Sequence, residues 1–150
     1  MRDLTISAHF HPNVYPKSVK FLYDQAIEIL CFVRATEISL SISGIQVRLS
    51  HEAAITGGGE FTRLTKLQMC EFRVTDGGDG ISELVSRRCP CLEVLELERI
   101  EGVEALTLIT DSLQRLRLIK FKTFLEQLQV KARNLRKMQV LHCFACSGWW

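Results

Sequence analysis

Long apolar runs are missing from this chain. No stretch of about 18 or more apolar residues occurs in its 150 positions, which excludes a helix that spans a membrane. The opening Met1-Arg2-Asp3-Leu4-Thr5 lacks the apolar core of a secretory signal. An excess of one charge is missing too: the formal net charge is +2, too little to argue for a nucleic-acid partner. Disorder is excluded by a composition that is 47% hydrophobic and 24% charged. These absences predict a globular, cytoplasmic or nuclear chain of a length that fits one domain. In such a compartment the six cysteines stay reduced as thiols.

Motifs that carry chemistry are also scarce. Cys89-Pro90-Cys91 and Cys143-Phe144-Ala145-Cys146 have the look of two zinc half-sites, but they fall two strands apart, roughly 10 Å in a stack spaced about 4.8 Å. Four ligands on one zinc must converge more closely, and small buried slots explain Cys89 and Cys143 more simply. Asp76-Gly77-Gly78-Asp79-Gly80 lacks the further carboxylates and closing glutamate of a calcium loop, and it reads as a turn before a helix. Thr56-Gly57-Gly58-Gly59-Glu60 has no Gly-Lys-Ser/Thr sequel, so it is no phosphate loop. His9, His11, His51 and His142 pair with no nucleophile or metal motif; His9 and His11 share a strand face but have no third ligand. No cofactor, no metal and no catalytic set are expected, and the chain does not read as an enzyme.

What is present is a repeat. Leu64-x-x-Leu67-x-Met69, Leu92-x-x-Leu95-x-Leu97, Leu113-x-x-Leu116-x-Leu118 and Leu135-x-x-Met138-x-Val140 match in register. Phe72, Ile100 and Phe121 follow the first three at the same distance. A single such match carries no weight, whereas four in register are specific. In each, side chains alternate across a strand, apolar inward and polar outward. One coil cannot bury its apolar side alone, so parallel stacking is required.

The return paths differ. After Val74 the glycine turn leads to Ile81, Leu84, Val85 and Cys89 at helical spacing, a short helix stopped before Pro90. The next two coils are too short for a helix and instead repeat the strand pattern, at Val103-Glu-Ala-Leu106-Thr-Leu108 and Leu125-Glu-Gln-Leu128-Gln-Val130. These predict strands on the outer side. Upstream, Thr36–Ile42 alternates as an earlier strand. Val19, Leu22, Tyr23, Ala26, Ile27, Leu30 and Val33 mark one face of a helix starting near Pro16, suited to capping the stack. Leu4–Phe10 reads as an edge strand and Ser43–Glu60 as a mobile loop. The expected fold is α/β: a leucine-rich-repeat solenoid with a parallel inner sheet, one or two helices, and outer strands on the short coils. Residues 1–34 form its N-terminal strand and capping helix, and 35–150 its repeats.

Charge divides the stack. Cys91–Ser112 holds the acids Glu93, Glu96, Glu98, Glu101, Glu104 and Asp111 against Arg99 alone, whereas Leu113–Trp150 holds Arg115, Arg117, Lys120, Lys122, Lys131, Arg133, Arg136 and Lys137 against Glu126 alone. In-register stacking sets Glu96 beside Arg117, which reads first as a cross-strand ion pair and second as a basic patch for an acidic partner. No aromatic residues interleave the basic ones at stacking positions, which weighs against single-stranded nucleic acid. The outward residues Ser39, Gln68, Glu96, Glu98, Arg117 and Gln139 are the expected interaction surface, since stacked repeats present an extended face. Ser41, Cys70, Ile119 and Leu141 accompany them.

Cys89-Pro90-Cys91-Leu92-Glu93-Val94-Leu95-Glu96-Leu97 resembles the leucine-rich-repeat region of plant F-box proteins (the FBD type, with RNI-like repeats), as do the repeat openings Ser112-Leu113 and Asn134-Leu135. The similarity runs from about Asp3 to Cys143. It implies a protein-interaction module that recognises substrates for a cullin–RING ubiquitin ligase. The family's F-box, which binds the ligase adaptor, has no counterpart ahead of Leu4, so the adaptor-binding role does not carry over. Two other readings stand beside it: a truncated fragment without independent function, and a repeat binder of an acidic partner unrelated to ubiquitination.

Overall fold

The structure, a computed structural model, describes residues 3–8, 27–28, 36–42, 47–48, 61–75 and 77–145. Its centre is a parallel sheet. β3 (Glu37–Ile42), β5 (Lys66–Cys70), β6 (Val94–Glu98), β8 (Arg115–Ile119) and β10 (Lys137–Leu141) lie side by side, and β1 (Asp3–Ala8) completes six strands at the β3 edge. The order of the sheet follows the order of the chain, with other elements between its members. β7 (Ala105–Ile109) and β9 (Gln127–Lys131) form a second, two-stranded parallel sheet.

The alternation in sequence sets this arrangement. Leu67 and Met69, then Leu95 and Leu97, then Leu116 and Leu118 point into one core and are buried, while the residues between them face out. Leu64, Leu92 and Leu113 enter the core just before their strands, and Phe72, Ile100, Phe121 and Cys143 enter it just after. Cys143 thus takes the place that a large apolar side chain holds in the other three repeats. From the far side, Val103, Leu106 and Leu108 close over the same core. Each fully buried leucine of this kind is worth about 1.5–3 kcal/mol.

Gly77 and Gly78 turn the chain into α1 (Asp79–Glu83) with left-handed φ angles of 73° and 108°. A Cβ on Gly78 would lie 2.4 Å from the Ala105 carbonyl oxygen, so only glycine lets β7 approach this closely. The helix widens into a π-helical stretch, Leu84–Arg88, and ends two residues before Pro90. Ile81, Leu84 and Val85 face the core, as the helical spacing predicts. Gly102, at φ 90°, meets a harder limit: a Cβ there would stand 2.0 Å from the Val74 carbonyl oxygen.

Each of the last four strands of the main sheet after β3 ends in the same unusual backbone. Glu71, Arg99, Lys120 and His142 directly follow β5, β6, β8 and β10, with φ of 62°, 53°, 49° and 56°. None is glycine. The turn is fixed by stacking: the Glu71, Arg99 and Lys120 amides donate to the carbonyls of Glu98, Ile119 and Leu141 at 2.9, 2.9 and 2.8 Å.

Two expectations change. Within the segment read as a capping helix, Ile27–Glu28 is a short strand (β2) paired in parallel with β4, Val47–Arg48. Backbone pairing between distant segments overrides the local helical spacing there. The same pairing places a strand inside the segment read as a mobile loop. The remainder of both segments lies outside the described residues, as do His9, His11, His51, the glycines at 57–59 and Cys146.

Candidate interaction surface

The register brings five of the expected surface residues into one row. Ser39 pairs with Gln68, Gln68 with Glu96, Glu96 with Arg117, and Arg117 with Gln139. Four strand spacings separate the ends of this row, about 19 Å. Glu98 belongs to the neighbouring row, between Cys70 and Ile119. Ser39, Gln68, Glu96 and Glu98 are half-buried, and Arg117 and Gln139 are exposed. A recess of about 160 Å³ opens at the centre, lined by Ser39, Gln68, Glu96, Glu98, Arg117 and Ile119 among others. Ile119 faces outward yet is only 6% exposed, so it forms the floor of the recess and not an open contact point. Strands on both sides cover it, with Glu98 and Leu141 as its register partners.

The electrostatics depart from the simplest expectation. Glu96 and Arg117 are neighbours, but the Glu96 carboxylate accepts a hydrogen bond from the Gln68 side-chain amide. Among the described residues Arg117 makes no ion pair. The cross-strand ion pair lies one row beyond the strand ends, where Arg99 Nη1 stands 2.9 Å from Glu71 Oε1. That hydrogen bond and the Glu71 charge, with Glu98 behind them, raise the Arg99 pKa. A carboxylate between two polar neighbours can satisfy either, and side-chain reach, not charge alone, decides between them. Arg115 and Lys137 sit directly opposite each other, and like charges so placed repel. The result is a face that is acidic along β6 and basic along β8 and β10.

Reactive chemistry is muted here. Burial pushes the Cys89 thiol up to about 12, against the opposing pull of Arg88. Burial also raises Cys143, although hydrogen bonds from Phe121, Leu141 and Lys120 backbone groups act the other way. Its Sγ donates to the Leu141 carbonyl at 3.3 Å. Buried thiols held neutral are poor nucleophiles and poor metal ligands. Cys91 is exposed. Among the described residues no group of three or more His, Cys, Asp or Glu side chains could hold a metal ion, and no helix is long and apolar enough to cross a membrane.

Two features on the far side of the core escape a sequence reading. Ser82 and Ser86 on the helix reach β7: Ser82 Oγ accepts from the Thr107 amide at 3.0 Å, and Ser86 Oγ accepts from the Ile109 amide at 3.0 Å and donates to the Thr107 carbonyl at 3.3 Å. Serines four apart on a helix span about 6 Å, close to the rise of two strand residues, and that match was the available signal. The second feature is Arg88, buried at the end of the π-helical stretch, whose Nη2 has no hydrogen-bond partner among the described residues.

No protein-family model, curated protein or solved structure matches the chain.

Proposed function

We propose that the chain is a leucine-rich-repeat solenoid that serves as a protein-interaction module, with the outward face of the six-stranded sheet as its binding surface. The observation that carries this reading is the in-register row Ser39–Gln68–Glu96–Arg117–Gln139 around a central recess. Polar side chains of both signs, held on rigid strands, suit recognition of a partner protein's mixed surface. The fixed backbone beneath them reduces the ordering cost of binding. The module works by contact and without catalysis, and it needs no cofactor. By its resemblance to F-box repeats, such a module would supply substrate recognition for a ubiquitin ligase and leave adaptor binding to another element.

The test selects displayed peptides or small protein domains against the full chain. The leading binders are then titrated against Glu96→Lys and Arg117→Glu. Each variant is checked by circular dichroism and thermal melting. Loss of tenfold or more in affinity with either variant, at unchanged fold, supports the reading. Binders that ignore both substitutions would move the site off this face. The reading as a fragment without independent function draws on exposed Met138, Leu141 and Phe144. A monodisperse monomer with a single cooperative melt would exclude it.

A further inference from the structure

The recess on the sheet face is bordered by more acceptors than donors. Glu96 and Glu98 both line it from β6, two residues apart, a separation of about 7 Å along a strand. Glu98 lies between Cys70 and Ile119 in register, so neither strand neighbour offers it a positive charge. Arg99, next along the chain, acts on Glu98 electrostatically but gives its contact to Glu71. Among the described residues the Glu98 carboxylate makes no hydrogen bond or ion pair. It is half-buried, and burial favours a paired carboxylate over an unpaired one.

Gln68 adds to this balance. Its Nε2 donates to Glu96, which leaves Oε1 of the same amide facing the recess as an acceptor. Among the described residues Arg117 is the one base that lines the recess, and it is exposed. Its long stem lets the charged head turn into water. The floor is apolar, formed by Ile119. At about 160 Å³ the recess is smaller than the sites of free drug-sized ligands, about 300–1,000 Å³. It has room for a single side chain.

We infer that this recess receives one arginine side chain of a partner protein, with the guanidinium between Glu96 and Glu98 and the stem over Ile119. The inference rests on the reading of the sheet face as a binding surface and names the partner chemistry of that surface. A guanidinium holds five donors and no acceptor in a planar fork, which can bridge two carboxylates that flank it. Its alkyl stem covers apolar surface while the head stays polar. Lysine offers only a compact, strongly hydrated point charge. An acidic side chain would meet two carboxylates in the same space.

The probe is N-acetyl-arginine methylamide, which carries a positive charge and no carboxylate. It is titrated against the full isotope-labelled chain by two-dimensional NMR. Saturable shifts are expected at Gln68, Glu96, Glu98 and Ile119. The neutral citrulline analogue, close in shape, should bind at least tenfold less tightly. Glu98→Gln should weaken the arginine probe as much at an unchanged melt. Arg117→Ala removes a repelling charge and should tighten binding twofold or more. Because a variant can fail to fold, the citrulline comparison is made on the wild-type chain. Equal affinity for the citrulline or lysine analogue overturns the inference, as do shifts confined to another face or a loss of affinity with Arg117→Ala. Protein binders selected against the chain separate this inference from the reading beneath it. Binders weakened by Glu96→Lys that tolerate citrulline at each of their arginines overturn the inference and leave the face as the binding surface. Binders that ignore both Glu96→Lys and Arg117→Glu overturn both.

Discussion

Among the described residues β7 and β10 each have one strand partner, yet of the two only β7 has its other edge occupied. On that edge Ser82 and Ser86 of the helical segment supply the acceptors and donor that a further strand would have supplied. β10 has no such cover among the described residues, and its burial falls accordingly. The same repeat position is 0% exposed at Leu67 and Leu95, 2% at Leu116 and 49% at Met138. β7 and β9 differ in the same way, for Leu106 and Leu108 are fully buried while their register partners Leu128 and Val130 are half-buried. The comparison separates two sources of stability. A sequence pattern makes a residue eligible for the core, and a neighbour on each side is what buries it.

The largest effect should come from truncating equivalent core residues at the two ends of this series. Leu95→Ala should cost about 2–5 kcal/mol, as large-to-small changes in closed cores do, whereas Met138→Ala should cost less than about 1 kcal/mol because its site is already open. Urea denaturation of both variants checks this. Equal losses would mean that β10 is as well covered as β6.

Next in size is the sealed edge itself. Ser82→Ala with Ser86→Ala leaves the part-buried Thr107 amide without its acceptor, at about 1–3 kcal/mol, and the exposed Ile109 amide adds little because water can replace Ser86. Gln127→Ala and Gln139→Ala, on the open side, should each stay within about 0.5 kcal/mol. If the double serine variant melts like the wild-type chain, the serines do not seal β7.

A pH effect should also distinguish the closed region. The Cys89 thiol ionises only near 12 in the folded chain, while in the unfolded chain it ionises at an ordinary thiol pKa of about 8.5. Between those values the folded state holds the proton that the unfolded state loses. Stability is therefore intact below the lower value and declines as pH rises through the window. Denaturation at pH 8 and pH 10.5 should show a smaller alkaline loss for Cys89→Ala than for the wild-type chain. A Cys91→Ala variant, altered at an exposed site, should keep the full wild-type decline. Identical pH slopes for wild type and Cys89→Ala would remove Cys89 as the source.

The smallest change concerns the strand ends. Lys120 holds φ at 49°, a conformation that costs a non-glycine residue roughly 1–2 kcal/mol. Glycine relieves that strain but adds roughly 0.5–1 kcal/mol of chain entropy, so Lys120→Gly should raise stability by no more than about 1.5 kcal/mol. Thermal melts measured in parallel with Arg99→Gly would sharpen the contrast, since Arg99 also loses its pairing with Glu71.

Much of the main sheet was legible because its signal is carried by side-chain type. The period-two alternation of Leu95, Glu96 and Leu97, repeated in register, fixes both the strand and the side that faces the core. The outer strands at Ala105–Ile109 and Gln127–Lys131 were legible for the same reason, and so was the helix from the spacing of Ile81, Leu84 and Val85. The left-handed turns were not, because Glu71, Arg99, Lys120 and His142 are residues that give no hint of positive φ. The row of candidate surface residues followed from register alone. The choice of Gln68 over Arg117 as the partner of Glu96 did not, since it depends on atomic reach. Ile27–Glu28 was misread because a long-range backbone pairing leaves no mark on local periodicity.

The left-handed turns after β5, β6, β8 and β10 have one more implication. Four chemically unlike residues occupy one backbone conformation, each at the same height beside the next. The geometry of this column is thus independent of what it displays. An acid, two bases and a histidine already coexist there, so new specificities could be written into the column by substitution while the frame that holds it stays constant.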